Sequence, residues 1–153
     1  KSSKPEFDYY DSIADVIIPA TEYDKLIGMG SSVKKAWTYV ADDENGVTFR
    51  ENVLQGVDEI GESLKYKLEV PESGYYDVVI SLAAGAGGYA RRLLLLGGKA
   101  FPVTFKTDAF NDIDSYRLGT NVYLEKGVND LDIYVTGNQV VSTYKVGLIK
   151  HDK

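Results

Sequence analysis

Few residues of this chain could break a bond. Its only histidine, His151, stands in KHDK at the C-terminal end, and there is no cysteine. A Ser–His–Asp relay or a two-histidine metal centre therefore lacks its base or its ligands, and an end residue such as His151 is expected to fray. Hydrolysis by paired carboxyls remains, since two acids flanking a glycosidic bond suffice. Asp42, Asp43, Glu44, Asp112 and Asp114 are the candidates, and all fall in stretches that read as loops, where solvated acids are the norm. The segment ADDENG (41–46) has the acidity of a calcium loop but not the spaced ligands or the closing glutamate of an EF-hand, and an acidic turn is the expectation.

Binding chemistry is better represented. Twelve tyrosines, five phenylalanines and one tryptophan exceed what a small core needs, and Tyr75, Tyr89, Phe110, Tyr123 and Tyr134 fall outside the apolar alternation or in loops. Exposed rings stack on the apolar C–H faces of sugars, while amides, carboxylates and cationic side chains take up hydroxyls. Trp37, in VKKAWTYVA (33–41), shares a face with Val33 and Tyr39. It is expected in the core, or on a platform if that strand lies at an edge.

The elements that must position these groups are strands. Leu64, Tyr66, Leu68 and Val70 alternate with Lys65, Lys67 and Glu69; Tyr76, Val78, Ile80 and Leu82 form a second stripe. Leu131, Ile133 and Val135 form a third, opposed by Asp132 and Tyr134, and Tyr144, Val146 and Leu148 a fourth. A period of two with one wet face belongs to antiparallel sheets. Around Gly97–Gly98, RRLLLLGG (91–98) and AFPVTF (100–105) read as a hairpin with Pro102 at an edge or bulge. Further strands are expected at 13–20, 33–41 and 116–124, with a short helical turn near 22–28. Nine or ten short strands with Gly-rich turns predict an all-β antiparallel sandwich of jelly-roll type over 13–150, preceded by a linker or N-terminal arm at 1–12.

The 153 residues are 44% hydrophobic and 26% charged, ordinary for one globular domain. Seventeen basic against 23 acidic residues give a net charge of −6, which argues against nucleic acid or an anionic membrane surface as partner. The longest apolar run, Leu93–Leu96, is too short for a membrane span. With no signal peptide ahead of Lys1, the chain reads as a trimmed module or mature segment.

Three passages carry a resemblance: IPATEYDK (18–25), IGESLKYKLEVPESGYYDVVISLA (60–83) and YRLGTNVYLEKGVNDLDIYVTG (116–137). In this order they resemble the carbohydrate-binding modules of families 6 and 35 and their galactose-binding-like relatives, over about 130 residues from Ile13 to Ile149. The resemblance implies a noncatalytic jelly roll appended to a secreted glycoside hydrolase or polysaccharide lyase, outside the cell or on a bacterial surface. A catalytic domain in the same polypeptide and an oligo- or polysaccharide are the implied partners. The ligand would sit among loops at one end of the sandwich or on a concave sheet face, and a structural Ca2+ would be held in part by Glu22.

The sequence departs from that pattern. Val57 and Ile113 stand where two ring-bearing residues are usual, Lys145 where an Asn binds ligand, and Gly147 where an Asp holds calcium. Ligand contacts would then come from Phe110, Asn111, Asp112 and Asp114 in one loop, Tyr89 and Arg91 near the glycine run, and Asn138 with Lys145 near the last turn. The alternatives are a structural or protein-interaction sandwich, beside a catalytic domain or in a surface adhesin, and a paired-acid hydrolase.

Overall fold

The computed structural model describes Tyr10 and residues 13–28, 34–43, 46–84, 88–106 and 113–153, with the strand backbone alone over 34–43 and 46–52. Its strands are β1 (Val16–Pro19), β2 (Lys25–Ile27), β3 (Lys34–Asp43), β4 (Gly46–Gln55), β5 (Ser63–Val70), β6 (Gly74–Ala84), β7 (Tyr89–Leu96), β8 (Lys99–Lys106), β9 (Asp114–Leu124), β10 (Gly127–Val135) and β11 (Val141–Lys150). One sheet runs β3-β4-β11-β6-β9, with β1 also pairing β11; the other runs β2-β5-β10-β7-β8. Every pairing is antiparallel. The all-β sandwich expected from the alternation is the observed architecture.

The stripes face each other as the pattern requires. Leu64, Tyr66, Leu68 and Val70 from β5, Leu131, Ile133 and Val135 from β10, and Tyr76, Val78, Ile80 and Leu82 from β6 are all buried in one core. Removing each such side chain from water contributes about 1.5–3 kcal/mol. The buried Tyr66 hydroxyl donates to Ala20 O at 2.7 Å, so burial of this ring leaves no orphaned polar atom, and the same burial pushes its phenol pKa up.

Turn chemistry is local and behaves as read. Gly97 and Gly98 both have positive φ, 58° and 77°, between the paired Leu96 and Lys99. Two left-handed residues make the tight turn whose twist suits a hairpin, and glycine adopts them without steric cost. Pro102 is exposed on β8, the edge strand of its sheet.

Five expectations are corrected. Residues 46–55 form a full strand that the pattern did not single out, and Lys25–Ile27 pairs with β5 where a helical turn was expected. β6 is buried on both faces, with Asp77, Val79, Ser81 and Ala83 buried like its inward stripe. On β11 the register shifts between Thr143 and Lys145. That one-residue irregularity reverses the face, so Tyr144 leaves the Val146–Leu148 stripe and packs with Val53, Ala83 and Ile113.

His151 is the fifth. Its N–H donates to Tyr75 O at 2.9 Å, extending the β11–β6 ladder, and its Nδ1 lies 2.9 Å from Asp77 Oδ1. Asp77 also accepts from Arg117 Nε at 3.0 Å and from the Asn121 N–H at 2.9 Å. Asn121, at φ 46°, belongs to the irregularity that lets three β9 residues (119–121) face Asp77. Arg117 donates onward to Lys150 O and His151 O, so the C-terminal end is fastened by a buried anion.

Burial pushes the Asp77 carboxyl up, but the bonds from His151, the Asn121 N–H and Arg117 outweigh it and hold the group below its ordinary value of 3.8. The native state therefore takes up this proton less readily than the unfolded chain. The contribution to stability is complete above the ordinary value and is lost as pH falls through the lowered one. Urea unfolding at pH 7 should show Asp77→Ala losing about 3 kcal/mol, with a shallower fall in stability than wild type between pH 5 and pH 2.5.

Candidate functional site

One end of the sandwich carries the last residues of β2, β4, β6, β8 and β10 and the first residues of β3, β5, β7, β9 and β11, with the connections 56–62 and 136–140 described in full. The opposite end carries the β3–β4 and β7–β8 hairpins and the short turns 71–73 and 125–126. The loop end is where side chains from both sheets converge.

The described loops are held by a buried cation. Alternation on β7 turns Ala90, Leu94 and Leu96 inward, and Arg92 with them, at 4% exposure. Its guanidinium donates to Gly137 O at 3.2 Å, Gln139 O at 2.9 Å, Arg91 O at 2.7 Å and Val57 O at 3.5 Å. Burial pushes its pKa down to about 10, against the pull of Asp58 and Glu62, so it stays charged at neutral pH. Glu62, also buried, accepts the N–H groups of Asp58 and Glu59 at 2.9 Å each. Arg92 also lines a small apolar cavity between the sheets, with Leu54, Val57, Ile133 and Val141.

Asn138 Oδ1 accepts the Ile60 N–H at 2.9 Å, and Gln139 Oε1 accepts the Arg91 N–H at 3.1 Å. Asn138, expected as a ligand contact, thus clasps loop 56–62 to loop 136–140. Arg92 and Glu62 escaped the reading of site residues because their partners are backbone groups, mostly of other loops for Arg92 and of its own loop for Glu62. The even alternation of Ala90, Leu94 and Leu96 was the available signal for Arg92.

Tyr89 and Arg91 lie together on the outer face of β7, with Arg91 Cζ 5.8 Å from the Tyr89 ring centre. Tyr89 is 36% exposed and pairs with Lys106 on β8. Asp114 pairs with the inward Leu82, which puts it at the open end of the core, where its Oδ1 accepts the Ser115 N–H at 3.1 Å. Phe110, Asn111 and Asp112 lie outside the described residues. Lys145 is not brought to this group: it is on the outer face of the other sheet, its Nζ 5.2 Å from the Tyr144 ring centre. Val57 and Ile113 are both buried and present no surface to a ligand.

Among the described residues, the candidate acids of β3 and β9 do not come together. Asp42 and Asp43 lie at the hairpin end of β3, paired with Val47 and Gly46, while Asp114 opens β9 at the loop end. Strands of ten residues separate those ends by about 30 Å. Glu44 lies outside the described residues.

Among the described residues, the positions expected to hold calcium do not fit it. Glu22 is exposed after β1, its N–H donating to Pro19 O at 3.0 Å. At Gly147 a Cβ would stand 2.1 Å from Val16 O, so the close approach of β1 to β11 excludes any side chain there. Among the described residues no three His, Asp or Glu side chains gather as ligands.

No family model matches the chain, and no curated protein matches it. Among solved structures, a CBM35 from Cellvibrio japonicus superposes with a TM-score of 0.62 at 12% identity, over 87% of this chain and 92% of that one. The two chains share one fold. The Podospora anserina GH26-CBM35 β-(1,4)-mannanase gives a TM-score of 0.57 at 20% identity, covering 88% of this chain and 28% of the enzyme. The cycloalternan-forming enzyme of Listeria monocytogenes gives 0.65 at 18%, covering 86% and 12%. The chain therefore spans a small part of these enzymes and nearly all of the CBM35.

Two outcomes follow from this geometry. Arg92→Met should cost on the order of 3 kcal/mol, since it leaves buried carbonyls unpaired, and should speed amide hydrogen exchange at 57–61 and 137–139 before the rest of the sandwich. Calcium or EGTA should leave the Tm of the wild-type protein unchanged, whereas a native-state site occupied at a hundred times its Kd would add about 2.7 kcal/mol.

Proposed function

We propose that this chain is a noncatalytic carbohydrate-binding module that recognises an oligo- or polysaccharide at its loop end. The near-complete match to a CBM35 in both directions carries the reading. The Tyr89 ring beside the Arg91 guanidinium supports it, since that pair offers a stacking surface and donors for hydroxyls. The clasped loops support it as well, because a preformed surface loses less entropy on binding. Enzymes of which a similar fold forms 12% or 28% support a place beside a catalytic domain in a secreted, extracellular or surface-bound polysaccharide-degrading enzyme.

A second reading, a protein-interaction or structural sandwich, is favoured by one observation: Val57 and Ile113, where exposed rings would serve a sugar, are both buried. Affinity gel electrophoresis against β-1,4-mannan, β-1,3-galactan, dextran and xylan separates the two. Retardation of wild type by at least one glycan is expected. The Tyr89→Ala/Arg91→Ala variant should weaken it about tenfold, or about 1.4 kcal/mol. Mobility unchanged across the panel would leave the interaction reading standing alone.

A further inference from the structure

The most exposed rings of the described molecule lie at the other end. Tyr75 is 57% exposed and Tyr123 46%; they are directly paired across β6 and β9, with ring centres 5.4 Å apart at 66°. On the far side of Tyr75, His151 continues the ladder through its N–H to Tyr75 O, and its side chain is 47% exposed. Tyr123, Tyr75 and His151 therefore form one row across three strands, about 10 Å long. All three point away from the core, since Tyr76, Val122 and Leu124 beside them are buried.

The polar part of the row is oriented from behind. Asp77, buried and ionised, takes the hydrogen bond at Nδ1 of His151, which calls for the tautomer carrying its proton there. Nε2 is then turned outward as an acceptor. Two phenol hydroxyls complete a set in which ring faces lie beside groups able to donate and accept. The surroundings are polar: Glu72, Ser73, Glu125 and Lys126 in the neighbouring turns are all exposed.

We propose that this row is a second carbohydrate-binding site, taking one or two pyranose units of a glycan chain and remote from the loop end. The proposal rests on the glycan-binding reading above. Size favours a sugar over a protein partner: a protein interface of standard size takes about 800 Å² per side, whereas three rings hemmed by charged turns offer far less. A stacked pyranose needs only one ring face and a few polar groups. Two sites at opposite ends of one rigid module would let it bridge neighbouring chains, or hold one long chain twice.

His151 is the chain's only histidine, so its imidazole protons give a single NMR reporter inside the row. Wild type is titrated with mannotetraose, β-1,3-galactotetraose, isomaltotetraose and xylotetraose, alongside the gel assay with the parent polysaccharides. The oligosaccharide whose parent polysaccharide retards the protein should shift the imidazole signal, and should still do so in Tyr89→Ala/Arg91→Ala. The shift should vanish in Tyr75→Ala/Tyr123→Ala, which should also lose about tenfold in retention by the polysaccharide. Tyr75→Phe/Tyr123→Phe, which keeps the rings, should retain most of it.

Retardation of wild type with an unmoved imidazole signal would overturn the second site and leave the loop-end reading intact. A change in oligomeric state on Tyr75→Ala/Tyr123→Ala, with retention unchanged, would overturn it in favour of self-association. Absence of any glycan binding would sink both readings.

Discussion

A full positive charge between two apolar sheets must be answered where it sits, and the answer shapes one whole end of this molecule. Arg92 is placed inward by the alternation of β7, and its donors reach carbonyls from the segment after β4, from the loop after β10 and from β7 itself. Apart from Arg91 O, those carbonyls come from connections that cross between the sheets. Paired with a buried guanidinium, they are held at fixed distances, and Asn138 and Glu62 lock the same loops by accepting their N–H groups. Rigidity at the loop end is thus electrostatic in origin, and the surface carrying Tyr89 and Arg91 inherits it.

The far end solves the opposite problem. Asp77 is an anion on a face that ought to be wet, and β9 bends around it with a left-handed Asn121 so that a backbone N–H can reach it. Arg117 and His151 supply the remaining donors. The terminal residues of β11 are tied down as a by-product, and the exposed rings of Tyr75 and Tyr123 gain a fixed neighbour. A buried cation anchors one end and a buried anion the other, while the core between them is chiefly aliphatic and aromatic side chains.

Much of the scaffold could be read from residue order because its causes are local. Alternation in β5, β6 and β10 is set by adjacent residues, as are the Gly97–Gly98 turn and the edge position of Pro102. The outward placement of Tyr75, Tyr89, Tyr123 and Tyr134 follows from the same period. β4 was harder, since GVTFRENVLQ mixes charge into a strand, and β2 is too short to show a period. Tyr144 was misplaced because a bulge reverses the face without leaving a mark such as glycine or proline. The site was less accessible still: apart from the bond of Arg92 to Arg91 O, Arg92, Asp77 and His151 find these side-chain partners 35 to 74 residues away, and no spacing rule reaches that far.

The pairing of β1 with β11 has a further consequence. Val16 meets Leu148, so these two strands cannot associate until nearly the whole chain between them has been organised. Only the β3–β4 and β7–β8 hairpins join strands that follow one another directly in the same sheet. Closure of such long loops costs entropy before any contact repays it. Assembly should therefore be slow, in the range of about milliseconds to seconds for sandwiches of this kind, with the hairpins forming early and the first strand docking last against a nearly complete sheet.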